Sequence, residues 1–289
     1  METDVNSLGS NMTENMGWFF SALLLLSLAL LVVLFQGRFI YFPLRYSPAE
    51  LEEAKSIGVQ EVRFRTSQGN QAAFFWQSED SEANPQNIWI VFGGNGDIAL
   101  GWIGLVCDFP DPSTGFLLID YPGYGICEGR PNPQSILENS ECALQALLEQ
   151  KRWKSDAGAL CVLGHSLGGA AALQFAAKHI VSKIVVLSTF TSMDDMVRAQ
   201  IHISLGPLLR HPFDNVTSLK AVLSRKQVPD IYIFHGEADE LTPLKMGRSL
   251  AQLDSKRIKF VPIPGAHHND VVQMALPLGL RSALFQHGQ

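Results

Sequence analysis

The sequence predicts an α/β fold: a mostly parallel sheet of eight strands flanked by helices and preceded by one N-terminal transmembrane helix. Three observations predict it. Beyond residue 38, short β-type runs alternate with longer helical stretches. The later β-type runs are apolar throughout, as in Ile88-Trp89-Ile90-Val91-Phe92 and Ile231-Tyr232-Ile233-Phe234, which suits strands covered by helices on both faces. Finally, residues 18–35 form an uncharged, almost wholly apolar run near the N-terminus.

That run of 18 residues is long enough for about 27 Å of helix, close to the roughly 30 Å of a bilayer's hydrocarbon core. A cleaved signal peptide fits less well. Glu2, Asp4 and Glu14 precede the run without any Lys or Arg, it exceeds the usual 7–15 residues of such a core, and no A-x-A site follows. The expected organisation is a short polar N-terminus over 1–17, an anchor over 18–37, and one α/β domain over 38–289. Arg38, Arg45 and Lys55 all follow the span, so the positive-inside rule places the domain in the cytoplasm of a single-pass protein.

Within the domain the expected strands are 61–66, 71–77, 87–92, 115–121, 159–164, 183–187, 230–235 and 258–263. The first two are separated by Ser67-Gln68-Gly69-Asn70, a hairpin turn. Helices are expected over 133–153, 167–179, 242–253 and 270–286. Residues of about 191–228 break the rhythm around Gly206-Pro207 and His211-Pro212 and read as a small cap-like insertion. Composition narrows the function. Hydrophobic residues make up 46% and charged residues 17%, enough for a sizeable core. The net charge of −6, without a Lys/Arg cluster, excludes the usual nucleic-acid binder. Cys107, Cys127, Cys142 and Cys161 lack CxxC spacing, which argues against a disulfide scaffold or a zinc site, and no metal or cofactor is expected.

The strongest local signal is Gly164-His165-Ser166-Leu167-Gly168, between a β-type run and a small-residue helix. Such a tight strand-to-helix turn pushes the serine Oγ out at the end of a sheet, and its flanking glycines allow backbones to approach where a Cβ would clash. Ser166 is therefore the candidate nucleophile. A hydroxyl nucleophile needs a base, and the base an orienting acid, in the chain order serine, acid, histidine. After the seventh strand, Glu237, Asp239 and Glu240 compete for the acid, with Asp239 preferred at the centre of the loop. After the eighth, His267 and His268 compete for the base. The glycine-rich Gly93-Gly94-Asn95-Gly96 loop follows the third strand, where backbone donors for an oxyanion are wanted, and the N–H groups of Asn95 and Leu167 are the candidate pair. His165 and His235 read as packing or hydrogen-bonding residues and Cys127 as a small filler.

Together with Asp120-Tyr121-Pro122-Gly123-Tyr124-Gly125, these motifs resemble the α/β-hydrolase superfamily over residues 38–287, most of all its membrane-anchored serine hydrolases, which share a segment like Tyr41-Phe42-Pro43. The resemblance implies that Ser166, Asp239 and His268 form the catalytic triad, His268 being chosen over His267 because the family's histidine commonly precedes Asn-Asp, here Asn269-Asp270. Two positions depart from the family pattern: Gly93 stands where His is usual, and Pro122 where Arg is usual. The function expected is hydrolysis of a small-molecule acyl ester or thioester, on lipid-like or acylated substrates given the anchor. A serine peptidase and an inactive membrane-tethered scaffold are the alternatives.

Overall fold

The computed structural model describes residues 5–78, 80, 84–108, 111–153 and 158–285. The first four residues of the expected polar N-terminus, and Gln286 at the end of the last expected helix, lie outside them. All eight strands form one sheet in the order β1-β2-β4-β3-β5-β6-β7-β8. They are β1 (Gln60–Thr66), β2 (Gly69–Gln77), β3 (Asn87–Phe92), β4 (Thr114–Ile119), β5 (Ala159–His165), β6 (Lys183–Leu187), β7 (Asp230–Gly236) and β8 (Ile258–Ile263). β2 is antiparallel to both its neighbours, β1 and β4, while β3 to β8 are parallel. The expected hairpin is the β1–β2 turn, with Thr66 opposite Gly69.

Continuous apolar strands are explained by a core on each face. Along β3, Ile90 and Phe92 point into one cluster, whereas Trp89 and Val91 point into the other. The same alternation runs through β4, where Leu117 and Ile119 face one side and Phe116 and Leu118 the other. The first face is covered by α4 (Pro133–Lys151), α5 (Leu167–Lys178), α7 (Asn215–Leu223) and α8 (Leu244–Ala251). The second is covered by α2 (Pro48–Ser56), α3 (Ile103–Cys107), α9 (Val271–Ala275) and α10 (Arg281–Phe285).

Local chemistry sets several boundaries. Asn132 and Ser135 exchange side-chain hydrogen bonds with each other's backbone N–H at 2.9 Å, a capping box that starts α4 with Pro133 at its first position. Ser47 and Glu50 do the same for α2, a helix the hydrophobic periodicity alone does not reveal. The last expected helix is broken: Leu276–Leu280 forms an irregular turn in which Gly279 takes φ 117°, separating α9 from α10. A glycine there costs little, whereas another residue would be strained.

The insertion comprises α6 (Met193–Ile201), a short turn at Gly206–Leu208 and α7. An isolated antiparallel bridge between Ser192 and Asp214 closes its neck. Asp194 organises its outer loop, accepting from the Ser204 hydroxyl at 2.7 Å and from the backbone N–H groups of Leu205 and Gly206 at 3.0 Å. The Asn215-Val216-Thr217 triplet, a glycosylation pattern by sequence, starts α7 with Asn215 buried and donating to the Phe190 carbonyl at 2.7 Å, so its amide is already used inside the fold.

The N-terminal segment differs from a single straight span over 18–37. Helix α1 runs Val5–Ile40, and its axis bends by 43° between Trp18–Leu31 and Val33–Ile40. Among the described residues no single helix is long and apolar enough to cross a membrane, while these two pieces together are, by length and composition. Trp18, Leu24 and Leu26 are about two-thirds or more exposed on α1. Its C-terminal end and the following segment are tied into the domain. Gln36 is buried, donates from Nε2 to the Leu208 carbonyl at 3.0 Å and accepts at Oε1 from the Arg210 N–H at 2.6 Å. Arg45 bridges the Gly125 and Cys127 carbonyls at 3.1 Å, so the turn that carries Pro122 receives its guanidinium from outside.

Leu117 is fully buried on a central strand. Leu117→Ala is expected to remove about 2–5 kcal/mol of stability, read as a lower urea midpoint for the full chain in detergent micelles.

Candidate active site

Four loops at the C-terminal ends of the parallel strands meet at one point. The turn after β5 carries Ser166 with φ 54° and ψ −117°, a conformation other than helix or strand. A non-glycine residue in this region costs of order 1–3 kcal/mol, so the surroundings must enforce it. They do: the Ser166 N–H donates to the Leu187 carbonyl at 2.9 Å, and the Thr189 hydroxyl donates to the Ser166 carbonyl at 2.9 Å. The flanking glycines are required by contact. A Cβ on Gly164 would overlap the Gly168 carbonyl, and one on Gly168 would overlap the Phe92 carbonyl.

The structure brings Ser166, His268 and Asp239 together. Ser166 Oγ lies 2.9 Å from His268 Nε2, and His268 Nδ1 lies 3.0 and 2.9 Å from the two Asp239 oxygens. All three are buried. With the carboxylate accepting from Nδ1–H, Nε2 of the neutral imidazole is left to accept from the serine hydroxyl. Burial pushes the Asp239 carboxyl up, yet hydrogen bonds from His268, the Thr242 N–H at 2.7 Å and the Ser188 hydroxyl, with the His268 charge, outweigh it and hold it below the usual range.

The other candidates take different places. His267 points outward, its Nδ1 3.1 Å from the exposed Glu240 carboxylate and its N–H donating to Asp270 at 2.7 Å. Glu237 is exposed. Among the described residues no group of three or more His, Cys, Asp or Glu gathers as metal ligands.

Asn95 and Leu167 line one cavity with Ser166. Leu167 opens α5, so its N–H has no acceptor within the helix. The Asn95 carbonyl accepts from the Phe42 N–H at 2.9 Å and the Tyr124 hydroxyl at 2.6 Å, which fixes the glycine loop from outside the cavity. Gly94 N–H donates to Asp97 at 2.7 Å, folding the loop on itself. A Cβ on Gly93 would stand 2.8 Å from Asp97 Cβ and 3.2 Å from Trp102 Nε1, so this packing admits no histidine there.

Two further histidines pack beside Ser166, His268 and Asp239. His165 Nε2 donates to the His268 carbonyl at 2.9 Å and its ring lies 4.9 Å from the His268 ring. Burial, then the neighbouring His268, pushes its pKa down to about 4. His235 donates from Nε2 to the Thr242 carbonyl at 2.7 Å, and burial lowers its pKa as well. Cys127 is inert: its thiol exchanges contacts with the Ala72 backbone, and burial pushes it up to about 12. Ser188, at φ 44°, is a site residue that the sequence offers no signal for, because a serine after a strand has many uses.

The cavity holds about 430 Å³. Among the described residues no charged side chain lines it, and its walls come from α5, from α6 and, unexpectedly, from Gln36, Phe39 and Ile40 of α1.

Stability against pH tests the buried groups. An unfolded histidine titrates near 6.5, so the unfolded chain takes up the proton that native His165 refuses until about pH 4. The His165 contribution is therefore present above about pH 6.5 and lost as pH falls toward 4. Asp120 acts oppositely. Burial, partly offset by the Ala99 N–H, the Tyr46 hydroxyl and the Arg45 charge, raises its carboxyl to about 6. Its contribution is present below about 3.9 and lost as pH rises toward 6. Melting temperatures between pH 4 and 6.5 are expected to fall less steeply on acidification in His165→Gln and more steeply in Asp120→Asn than in the wild type.

Comparison with known proteins agrees with the geometry. A family model described as the alpha/beta hydrolase fold matches residues 90–210. The uncharacterized protein Rv2307c of Mycobacterium tuberculosis is 26% identical over 245 residues, 81% of this chain and 81% of that one. Among solved structures, the esterase domain of a Rhodothermus marinus protein aligns with a TM-score of 0.54 at 18% identity, covering 78% of this chain and 98% of that one. The Pyrococcus furiosus esterase PF2001 aligns with a TM-score of 0.60 at 12% identity, covering 85% and 95%. The chain carries the α/β-hydrolase fold, with its glycine-flanked Ser166 at the turn between β5 and α5.

Proposed function

We propose that this chain is a membrane-anchored serine hydrolase that cleaves carboxylic ester or thioester bonds of lipid-like or acylated substrates through Ser166, His268 and Asp239. The observation that carries the reading is the unbroken hydrogen-bond path from Ser166 Oγ through the His268 ring to Asp239. Ser166 Oγ attacks the acyl carbonyl while His268 Nε2 accepts its proton, and Asp239 holds the imidazole in the required tautomer and stabilises the imidazolium. The tetrahedral oxyanion is held by the N–H groups of Asn95 and Leu167. His268 then protonates the leaving alcohol or thiol as the acyl-enzyme forms. Water, deprotonated by the same nitrogen, releases the acid and restores Ser166.

The uncharged cavity favours an apolar acyl group over a peptide side chain recognised by charge. The bent apolar helix α1 supports a single-pass anchor, and Arg38, Arg45 and Lys55 on its C-terminal side support a cytoplasmic domain.

Labelling of the full chain in detergent by a fluorophosphonate probe tests the reading. Wild type is expected to label and Ser166→Ala not at all. His268→Ala and Asp239→Asn should slow labelling by about 10⁴-fold, whereas His267→Ala should keep it. A folded wild type that neither labels nor hydrolyses p-nitrophenyl esters would be a binding scaffold instead. Faster cleavage of an acyl amide than of the matching ester would favour the peptidase.

A further inference from the structure

We propose that the last turns of α1 are part of the substrate site: the acyl chain lies between α1 and α6 and leaves the protein along the apolar face of α1. The inference rests on the hydrolase reading and assigns to the anchor a second role, as the wall that sets acyl-chain length.

Gln36, Phe39 and Ile40 recur at intervals of three and four, so they share one face of α1, and all three line the cavity that contains Ser166. Across the cavity stand Met196, Val197 and Ile201 of α6. A 150 Å³ apolar cavity holds one benzene molecule, so about 430 Å³ takes a chain of roughly a dozen carbons before it must emerge. The direction of emergence is marked. Phe39 and Ile201, which line the cavity, are 73% and 55% exposed, and Ile203 and Leu208 of the insertion are 62% and 49% exposed, so apolar groups beside the slot face outward. The face carrying Gln36 and Ile40 continues upward through the half-covered Ala29 and Val33 into the apolar run of α1.

Gln36 keeps the wall in place. Its side-chain amide pairs with both the Leu208 carbonyl and the Arg210 N–H, which docks the insertion on α1. Leu209, between those two partners, and Leu205 just before them also line the cavity. An ester with one saturated chain fits this uncharged slot, its carbonyl at Ser166 and its chain end in the apolar phase around α1.

The test is the kcat/KM ratio of p-nitrophenyl dodecanoate to p-nitrophenyl butyrate, measured on the full chain in detergent micelles. Phe39→Trp and Ile201→Trp narrow the slot at exposed positions and are expected to lower the ratio at least tenfold. Phe39→Ala, which cannot overfill the slot, should shift the preferred ester to a longer chain. Leu28→Trp, on an exposed position of α1 outside the cavity, should leave the ratio as in the wild type. A normal butyrate rate with an unchanged ratio in both cavity tryptophan variants would overturn the α1 wall and leave the hydrolase reading standing. An equal fall in Leu28→Trp would also overturn it, since the effect would then be one of micelle partition. A wild type that hydrolyses neither ester would overturn the hydrolase reading and this inference together.

Discussion

The Phe92 carbonyl sits where a side chain on Gly168 would begin, and the Gly168 carbonyl sits where one on Gly164 would begin. That close approach of three backbone segments, the end of β3, the end of β5 and the start of α5, is the constraint on which the site depends. It forces the chain to turn sharply at Ser166, and the turn holds because each polar group of the Ser166 peptide is matched. Its N–H is taken by the end of β6 and its carbonyl by Thr189 just beyond. The strand order then does the rest. β5 lies between β3 and β6, with β7 and β8 beyond, so the parallel strands end together and their loops converge on one serine. A one-residue slip in β5 would turn Ser166 to the opposite face.

Burial and hydrogen bonds set the charge states beside Ser166. Asp239 is held as an anion by His268 and by donors from Thr242 and Ser188 against the cost of burial. His165 and His235 are kept neutral by burial and spend their Nε2 protons on the His268 and Thr242 carbonyls. These carbonyls belong to the turn that carries His268 and to the loop that carries Asp239. In the mechanism proposed above, a protonated His165 would set a second cation 4.9 Å from the ring that becomes an imidazolium. In its neutral form His165 is a strut beneath the His268 ring, tied to the His268 carbonyl.

Much of this was legible in the sequence because the physics involved is local. The Gly164–Gly168 spacing, the apolar two-faced strands and the carboxylate and histidine after β7 and β8 each follow from short-range rules. Asp239 over Glu237 and Glu240 was legible only as a loop centre; what decides it is that its carboxylate caps Leu241 and Thr242 as well as meeting His268. The choice of His268 needed the family resemblance, since two adjacent histidines differ only in which way the turn points them. Helix α2 had a sequence signal in its capping box, which periodicity overlooked. The break at Gly279 lay hidden in an apolar run that reads as one helix. Ser188 and the α1 wall had no local signal, because both depend on how distant segments pack.

Gln36 makes the last point concrete. In sequence it is a polar residue closing an apolar run, the ordinary mark of a span reaching water. In the fold it is buried, and an amide removed from water without partners costs about 1–3 kcal/mol. The Leu208 carbonyl and the Arg210 N–H supply both partners, so α1 and the insertion are favoured in one relative position and penalised in others. A shift of α1 that broke the pair would strand a donor and an acceptor on each side of the contact. The helix proposed as the anchor is thereby registered against the segment that roofs Ser166. The geometry of the slot is set by the same residue that marks where the apolar run ends.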